Sequence, residues 1–337
     1  MSKIKVLNES DISKIINLKL AIKAVEDAYK QKSNNKGNVW PLVFYEYEHN
    51  VFDLDIRSGN LIDSGAYGLK LISYNENNPA NGLSKVNATA LVCNDKTGEP
   101  LAILNASPIT SYRTGAAAGI GAKYLARKDS KNLLIVGTGN IAKYSTAATL
   151  YLIPSIENVY LYNPKRVLDD NELLAFKNEI NKLLNESDKE LNTNINSVND
   201  ISEITSTSDI IITTTPSDKA LIEDSWVKPG THFSCMGACM VGKQEIDENI
   251  FKRARSFADD EGQCLKQGEA QCAYNNKLIN KFDGEIGEVI LDRIKGRIDD
   301  NDITIFDSTG LFLQDLATSI EIINESNKKN IGIEIEL

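Results

Sequence analysis

The fold of this chain is decided by the stretch Leu133-Leu134-Ile135-Val136-Gly137-Thr138-Gly139-Asn140-Ile141-Ala142. Apolar residues typical of a buried strand lead directly into a Gly-x-Gly-x-x-Ala turn, and a helical pattern follows at once. In such a turn Gly137 permits the tight bend, Gly139 lets the backbone approach a pyrophosphate, and Ala142 lets the helix pack closely on its strand. A plain strand-to-helix turn would also use glycine, but the flanking elements favour a dinucleotide site whose phosphates face the helix start. The predicted dinucleotide loop consists of Gly137, Thr138, Gly139, Asn140 and Ile141.

Composition bounds the class of protein. The chain has 337 residues, 42% of them hydrophobic and 25% charged, which is typical of a globular protein with two domains. The formal net charge is −10 and there is no basic stripe, which argues against a nucleic-acid partner. No apolar run approaches the roughly 18 residues that span a bilayer. The start, Met1-Ser2-Lys3-Ile4-Lys5, lacks the apolar core of a signal peptide. We expect neither a membrane nor a nucleic acid as partner.

Cysteine and histidine usage points to a cytoplasmic protein without a metal site. The five cysteines are odd in number and show no Cys-x-x-Cys spacing, which fits reduced thiols in a cytoplasm. The two histidines are too few for a usual zinc site.

The pattern changes character along the chain. The first 112 residues begin with a helical pattern over 11–32 and turn to short strands from Val39, including a hairpin formed by 86–93 and 100–106. From Ser130 strand and helix patterns alternate, which predicts a doubly wound parallel α/β sheet of the Rossmann kind. Its further candidate strands are 158–162, 209–214, 231–236 and 255–258.

Two later segments complete the expected organisation. Residues 169–200 are rich in Asp, Glu, Asn and Lys with leucines at helical spacing, which predicts a solvated surface helix. Residues 311–324 have a helical pattern, and 331–337 alternate as an edge strand does. We place this tail on the first domain, so that an α+β domain of residues 1–112 is completed by 311–337 and the Rossmann domain comprises 113–310.

Four further segments, together with the dinucleotide loop, resemble the ornithine cyclodeaminase/mu-crystallin family. The match runs in the right order from about residue 40 to 320. The segments are Gly68-Leu69-Lys70-Leu71-Ile72-Ser73 with Asn78-Pro79, Ser111-Tyr112-Arg113-Thr114-Gly115-Ala116-Ala117, Met236-Gly237-Ala238-Cys239 through Gly242-Lys243-Gln244-Glu245-Ile246-Asp247, and Phe306-Asp307-Ser308-Thr309-Gly310 with Gln314-Asp315.

The resemblance implies a homodimer in which each subunit pairs a substrate-binding and dimerisation domain with a dinucleotide domain, the active site lying between them. It implies hydride exchange between a nicotinamide and the Cα–N bond of an amino acid, through an imine. Members include cyclodeaminases, ketimine reductases, alanine dehydrogenases and opine-type dehydrogenases, so the family alone does not fix the reaction.

Lys70 and Arg113 are the expected catalytic residues. The resemblance implies that both bind the substrate carboxylate and that the lysine lies near the reacting carbon. A carboxylate in a closed site needs a cationic clamp, and a guanidinium grips it bidentately. The lysine also handles the imine proton if its pKa is lowered. The alternatives are a surface lysine and an arginine at a helix start.

Arg57 is the third candidate cation for substrate binding. It resembles an arginine of the opine-type branch. Many members instead carry an arginine after the proline that matches Pro41, where this chain has Leu42-Val43. Arg57 either replaces that cation or is an exposed strand residue.

Cys239 is the sharpest departure from the family pattern. Cyclodeaminase members carry an aspartate at this position, where it helps a water or the distal amine of the substrate to react. A thiol does not replace that charge at neutral pH unless its pKa is strongly depressed. Cys239 remains a substrate-binding candidate, with a packed small residue at a strand end as the alternative, and the change argues against ornithine cyclodeamination.

Cofactor preference follows from the end of the second strand of the Rossmann pattern. NAD-selective sites place Asp or Glu there to hold the ribose 2′-hydroxyl. This chain has Asn163 followed by Lys165 and Arg166, which suits a 2′-phosphate and favours NADP(H) over NAD(H). The alternative is a solvated basic pair at a helix start.

Three further residues are expected to contact the cofactor. Thr214 and Thr215 end the third candidate strand, where the central part of a dinucleotide usually rests. Ser308 matches the family loop that approaches the nicotinamide, although a helix cap explains the same residue. Asp315, one helical turn later, is expected to anchor that loop, and Gln263 is given no role.

We predict an NAD(P)-dependent oxidoreductase that reduces an imine or ketimine of a small carboxylate, or runs the reverse oxidation. The first alternative is an ornithine or lysine cyclodeaminase that recycles NAD within one turnover. The second is a non-catalytic nucleotide- or ligand-binding protein like mu-crystallin, which retention of Lys70 and Arg113 disfavours.

Overall fold

The computed structural model describes residues 3–49 and 51–336. Two compact units divide the chain: unit 1 runs up to Arg113 and resumes at Leu311, and unit 2 comprises Thr114–Gly310. The boundary falls inside helix α3 (Ala106–Leu125), which carries Arg113. Within the described residues, no helix combines the length and the apolar character that crossing a membrane requires.

Unit 2 contains a doubly wound parallel sheet. Its eight strands follow the order β10-β9-β8-β11-β13-β17-β15-β16, and every pairing is parallel. The third, second, first, fourth and fifth sheet strands thus lie side by side, which is the Rossmann order and confirms the predicted fold class. The strands are β8 (Asn132–Val136), β9 (Asn158–Tyr162), β10 (Asn194–Val198), β11 (Ile210–Thr213), β13 (His232–Cys235), β15 (Ala254–Ala258), β16 (Gly284–Glu285) and β17 (Ile303–Asp307).

The remaining elements of unit 2 surround this sheet. A small separate sheet pairs β12 (Asp218–Ile222) with β14 (Gln244–Ile246). Short 3₁₀ helices occupy Asp224–Trp226 and Glu248–Lys252. The helices are α4 (Asn140–Leu152), α5 (Asp170–Asn185), α6 (Ile201–Thr207), α7 (Glu261–Gln267), α8 (Gln271–Asn275) and α9 (Ile286–Ile290).

The continuous apolar run of β8 has a structural cause. Leu133, Leu134, Ile135 and Val136 are all fully buried, although successive side chains of a strand point to opposite faces. Both faces of the strand are therefore covered, as is usual in a parallel sheet.

Two predictions in unit 2 are wrong. The helix expected over 169–200 ends at Asn185, and β10 follows as the edge strand, where only Ile195 is buried. An edge strand needs few apolar residues, so its polar composition looks like a solvated surface. The second error is the omission of β17 from the candidate strands; it follows the 255–258 strand along the chain and lies between β13 and β15 in the sheet. Local pattern does not show where a returning strand inserts.

Unit 1 contains a mixed sheet with the order β18-β1-β7-β6-β5-β4-β2, and β3 pairs with β4. Its strands are β1 (Lys3–Leu7), β2 (Gly37–Val39), β3 (Val43–Glu48), β4 (Phe52–Leu61), β5 (Ala66–Asn75), β6 (Val86–Asn94), β7 (Pro100–Asn105) and β18 (Ile333–Glu336). Its helices are α1 (Glu9–Ser13), α2 (Leu18–Ser33) and α10 (Phe312–Lys329), with a 3₁₀ turn at Asn78–Asn81. Helix α10 packs on α2, β4 and β5.

Most predicted elements of unit 1 are present with corrected bounds. The 86–93 and 100–106 hairpin is confirmed as the antiparallel pair β6–β7, and the tail strand pairs with β1, Leu337 lying outside the described residues. The single helix expected over 11–32 is wrong. Asn17 separates α1 from α2, because its side chain accepts the Leu20 N–H and caps a new helix. Arg113 is not at a helix start, since α3 begins at Ala106.

Candidate functional site

The dinucleotide loop begins where β8 ends, and its first glycine is required by geometry. Gly137 has φ +102°, and its N–H donates to the Tyr162 carbonyl at 2.9 Å. A Cβ at this position would lie 2.6 Å from Thr214 Oγ1 and in a backbone region that favours glycine. The bend that aims the chain into α4 therefore depends on Gly137.

The start of α4 offers an open cradle for phosphate. Gly139 is the N-cap residue and, because it has no side chain, it supplies no cap hydrogen bond. A Cβ added there would meet no described heavy atom within 4 Å. Backbone N–H groups at the start of a 13-residue helix can thus face an anion in open space, so these residues fit a pyrophosphate.

The end of β9 lies against this loop. Asn163 Nδ2 donates to Thr138 Oγ1 at 2.9 Å, and Asn163 Oδ1 accepts the Lys165 N–H at 2.9 Å. Lys165 is exposed, whereas the Arg166 guanidinium binds the Glu172 carboxylate through both terminal nitrogens. This hydrogen-bonded pair lowers the pKa of Glu172 to about 2. The two cations expected at this corner are therefore unequal, because Arg166 already has an anionic partner.

The other predicted cofactor residues also lie at the carboxyl ends of sheet strands. Thr214 donates to the Val136 carbonyl from its N–H at 2.8 Å and from its hydroxyl at 3.1 Å. The Ser308 hydroxyl donates to Asp259 Oδ2 at 2.7 Å, and the Gly310 N–H donates to the same oxygen at 2.9 Å. Asp259, and not Asp315, thus anchors the loop of Ser308, which corrects the expectation from sequence.

Unit 1 gathers a second set of residues, here called the Lys70 cluster: Arg57, Lys70, Arg113, Gln314 and Asp315. Lys70 on β5 is fully buried, and its Nζ donates to Asp315 Oδ1 at 2.7 Å and to Thr110 Oγ1 at 3.3 Å. Arg57 is its direct cross-strand partner on β4 and contacts Asp55 Oδ2 at 3.2 Å. Lys70 is therefore not a surface lysine.

Arg113 reaches the same carboxylate from α3. Its Nη1 donates to Gln314 Oε1 at 2.9 Å, and its Nε lies 3.5 Å from Asp315 Oδ2. Gln314 Nε2 in turn donates to the Tyr29 hydroxyl at 2.6 Å. The first turn of α10 thus fixes both cations, with Asp315 between Lys70 and Arg113.

Burial and neighbouring charges set the protonation of this cluster. Burial lowers the pKa of Lys70 to about 8; Asp315 opposes this shift, whereas Arg113 and Arg57 add to it. Burial alone would raise the pKa of Asp315, but Arg113, Lys70 and Arg57 outweigh it and hold that pKa below its usual value. The cluster therefore combines an aspartate whose pKa is lowered with a lysine whose pKa is about 8.

Sequence reasoning missed the roles of Asp315 and Gln314. Both stood in the segment that carries the family resemblance, and two cations expected in a buried site call for a carboxylate partner. This need for a carboxylate partner was the signal in the sequence that could have identified Asp315. Cys239 lies in the loop that follows β13, is partly exposed and forms no disulfide with any residue that the structure describes.

Comparison with known proteins places the chain. The profile of the ornithine cyclodeaminase/mu-crystallin family matches residues 2–330. An alanine dehydrogenase of Archaeoglobus fulgidus is 34% identical over 98% of both chains. The structure of an archaeal alanine dehydrogenase dimer with bound NAD aligns with a TM-score of 0.86 and 32% identity over 100% of both chains. The iminosuccinate reductase of Paracoccus denitrificans in complex with NAD⁺ aligns with a TM-score of 0.90 and 28% identity over 100% of both chains.

The chain belongs to the ornithine cyclodeaminase/mu-crystallin family. It is an NAD(P)-dependent oxidoreductase that acts on the Cα–N bond of an amino or imino acid, which confirms the predicted class of enzyme.

Proposed function

We propose that this enzyme catalyses net redox turnover: it reduces the imine of a small α-carboxylate to the amine, or runs the reverse oxidation, and releases changed cofactor. The observation that carries the proposal is the fully buried Lys70, held between Asp315 and two arginines with its pKa lowered to about 8. A buried lysine that titrates near neutral pH is suited to acid–base chemistry and seldom serves structure alone.

Charge balance favours a carboxylate ligand at the Lys70 cluster. Arg57, Lys70 and Arg113 supply three positive charges when Lys70 is protonated, and Asp55 and Asp315 supply two negative ones. One positive charge remains, which a substrate carboxylate would neutralise. We therefore assign carboxylate binding to Arg113, Lys70 and Arg57.

Lys70 is assigned the proton transfer. In reduction its ammonium gives a proton to the substrate nitrogen, and in oxidation the neutral amine takes that proton back. Asp315 holds the Lys70 Nζ in place at 2.7 Å and stays ionised through both steps. The lysine thereby provides both protonation states close to neutral pH.

The bound nicotinamide would supply or accept the hydride. We assign its dinucleotide to the loop of Gly137, Thr138, Gly139, Asn140 and Ile141, with Thr214, Thr215 and Ser308 at the neighbouring strand ends. Cys239 of unit 2 is assigned to substrate binding, at the position where cyclodeaminase members of the family carry aspartate. A thiol there in place of a carboxylate disfavours release of a distal amine, which supports net redox turnover.

The test is a screen of α-keto acids with amines, of preformed cyclic imines and of ornithine, in which nicotinamide absorbance and product are followed together. We expect one mole of reduced cofactor consumed per mole of amine formed. Redox-silent conversion of ornithine to proline and ammonia would overturn the proposal and establish cyclodeamination instead.

We further propose that NADP(H) is preferred over NAD(H). The support is the neutral Asn163 where NAD sites carry a carboxylate, followed by the exposed Lys165. Arg166 can add a contact to a 2′-phosphate only by exchanging Glu172 for it, so the pair with Glu172 limits the preference.

Titration of NADPH and NADH at low salt tests this preference. We expect NADPH to bind about tenfold more tightly, since one charge-assisted contact from Lys165 is worth roughly 1.5–3 kcal/mol and about 1.4 kcal/mol is a factor of ten. Asn163→Asp should favour NADH, and Glu172→Gln should strengthen NADPH binding by freeing Arg166. The exposed Glu190→Gln is the charge-matched control and should change neither value. Tighter binding of NADH to the unmodified protein would assign NAD instead.

We also propose a homodimer formed through the sheet of unit 1. Leu69 and Leu71 flank Lys70 on β5, and both are exposed, so the face opposite to Lys70 is apolar. The other exposed large apolar residues of this sheet and its loops, among the described residues, are Trp40, Leu42, Val43, Phe44, Tyr45, Tyr47, Ile62, Leu83, Val86, Leu101, Ile333 and Ile335. Light scattering should give twice the 37.2 kDa chain mass, and a monomer would contradict the proposal.

The cytoplasm is the proposed location. All five cysteines lie within the described residues, none of them is in a disulfide bond, and three are buried, which suits a reducing compartment. Fractionation of the producing cells would test this assignment, and recovery outside the cytoplasm would contradict it.

A further inference from the structure

Three buried carboxylates of unit 2 form a relay of backbone anchors, here called the carboxylate relay: Asp307, Glu269 and Glu245. Asp307 accepts the N–H groups of Glu269 at 3.1 Å and of Ala270 at 2.9 Å. Glu269 Oε1 accepts the N–H groups of Glu245 and Ile246, both at 2.7 Å. Each carboxylate thus fixes the segment that carries the next one.

Glu245 ends the relay at two loops that follow neighbouring strands of the parallel sheet. Its Oε1 accepts the Thr215 N–H at 2.5 Å and the Thr215 hydroxyl at 2.7 Å. Its Oε2 accepts the Gly237 N–H at 2.9 Å. Thr215 follows β11 and Gly237 follows β13, so one side chain joins the two strand ends.

The contact between these loops leaves no spare room. A Cβ at Gly237 would lie 2.3 Å from the Thr215 carbonyl oxygen and 2.5 Å from Glu245 Oε2. The loop of Thr214 and Thr215 therefore cannot shift independently of the loop of Gly237, because both close on the same carboxylate.

Glu245 and Glu269 differ in a way that a single substitution can separate. Both oxygens of Glu245 accept hydrogen bonds, so both must remain acceptors. Glu269 accepts through Oε1 alone, and its buried Oε2 has no hydrogen-bond partner among the residues that the structure describes. Burial and the nearby Glu245 also raise the pKa of Glu269 well above its usual value. In Glu269→Gln the amide oxygen can still accept both N–H groups and the NH₂ opposes no backbone N–H, whereas in Glu245→Gln the NH₂ must oppose the N–H of Gly237 or Thr215.

We propose that Glu245 is a positioning residue for dinucleotide binding: its carboxylate holds the Thr214–Thr215 backbone in the geometry that the cofactor requires, without touching the cofactor. This inference rests on the proposed role of Thr214 and Thr215 in holding the dinucleotide. Replacing one carboxylate oxygen by an amide NH₂ would set a donor against the N–H of Gly237 or Thr215. A buried donor is then left unsatisfied, and the two loops separate.

The experiment measures Kd for NADH and NADPH by fluorescence titration on the full chain, for wild type, Glu245→Gln and Glu269→Gln. We expect Glu245→Gln to raise the Kd of the better-bound cofactor at least about tenfold, and Glu269→Gln to change it less than about threefold. The KM of the amino or imino acid should stay within about twofold in both variants. A general structural role would instead affect the two variants in proportion to their loss of thermal stability.

The outcomes distinguish failure of the proposed function from failure of the positioning role of Glu245. If wild type binds neither cofactor, the proposed function fails. If wild type binds and a folded Glu245→Gln binds equally well, the positioning role of Glu245 is overturned. If Glu245→Gln does not fold, hydrogen exchange of the cofactor-free wild type decides. Slow exchange of the Thr215 and Gly237 amides supports the proposal, and exchange at the rate of an open loop overturns it.

Discussion

Asp315 in unit 1 and Asp307 in unit 2 are both fully buried, yet the pKa values of their carboxyls move in opposite directions. Burial raises the pKa of Asp307 to about 8, with Asp259 and Glu245 adding to the shift against two backbone hydrogen bonds. The pKa of Asp315 falls, because Arg113, Lys70 and Arg57 outweigh the same effect of burial.

The difference shows what each region does with a buried charge. The Lys70 cluster surrounds its aspartate with cations, which lowers the pKa of Asp315, while Lys70 has a pKa of about 8. The carboxylates of the relay accept mainly backbone N–H groups, with Glu269 Oε2 left without a hydrogen bond among the described residues, and these bonds fix the loops. The carboxylate with cationic partners, Asp315, thus belongs to the proposed reaction site, whereas the carboxylates with backbone partners hold loops in position.

The largest expected effect tests whether the Lys70 cluster takes part in the reaction. Lys70→Met should lower kcat/KM by about 10²–10⁴, the usual contribution of a positioned proton donor. NADH and NADPH should bind with unchanged Kd, because Lys70 belongs to unit 1. Steady-state kinetics measure kcat/KM, and fluorescence titration measures the Kd of each cofactor.

Lys5→Met is the matched control for Lys70→Met. Lys5 is also a mostly buried lysine of the same unit, and its Nζ donates to Asn327. The control should keep its activity. Equal losses in the two variants would mean that Lys70 serves folding alone.

Arg113→Ala should lose substrate binding much more than cofactor binding. Removing one partner of a desolvated charge pair costs roughly 2–5 kcal/mol, which predicts a fall of about 30-fold or more in kcat/KM. Arg113→Lys should recover part of this loss, because it restores the charge without the planar fork. Unchanged kinetics in a folded Arg113→Ala protein would show that Arg113 is structural.

The pH dependence of the wild type sharpens the assignment of Lys70. Reduction needs the ammonium form, so its rate should fall about tenfold per pH unit above about 8. Oxidation needs the neutral amine, so its rate should rise through the same region. Initial rates in both directions from pH 6 to pH 10 test this, and parallel profiles in the two directions would argue against a single titrating group.

The smallest expected effect concerns the carboxylate relay. Between pH values of about 4 and 8 the folded state keeps the Asp307 proton that the unfolded state has lost. Stability from this group is therefore present at low pH and is lost as pH rises through about 8. Asp307→Asn loses one backbone hydrogen bond at every pH, because its NH₂ cannot accept an N–H, but it also removes the titration. The amount by which its Tm lies below that of wild type should therefore shrink by about 2 °C or more from pH 5 to pH 9.

Asp218→Asn is the control for Asp307→Asn, since Asp218 is an exposed aspartate of the same unit. Its Tm difference from wild type should stay flat over the same pH range. A flat difference for Asp307→Asn as well would mean that Asp307 is ionised in the folded protein.

Predictability from sequence was highest where a signal is local. The dinucleotide loop follows from one glycine pattern between a strand and a helix, and Gly137 has the positive φ that this turn requires. The β6–β7 hairpin followed from its turn residues. By contrast, β10 looked like the end of a surface helix and β17 went unrecognised. The reason is that an edge strand carries little apolar signal, and insertion order across a sheet is not a local property.

The same division applies to the candidate site. Lys70 and Arg113 were found through short segments that resemble the family, together with the need for cations to hold a carboxylate. Their carboxylate partner Asp315 was not identified from the sequence, because the Lys70–Asp315 pair joins residues 245 positions apart. The anchoring of the Ser308 loop by Asp259, 49 residues away, was assigned to Asp315 for the same reason.

By itself, then, the sequence determined the fold class, the glycine turn proposed to bind phosphate and the cations proposed to bind substrate, because each depends on residue type within a few neighbouring positions. Only the tertiary structure decided which carboxylates are ionised, since Asp315 and Asp307 differ in their surroundings and not in their own chemistry. It also decided that Arg166 is paired with Glu172 and that Glu245 joins two strand ends. A pKa and a hydrogen-bond network are properties of the space around a group, and only folding brings distant residues into that space.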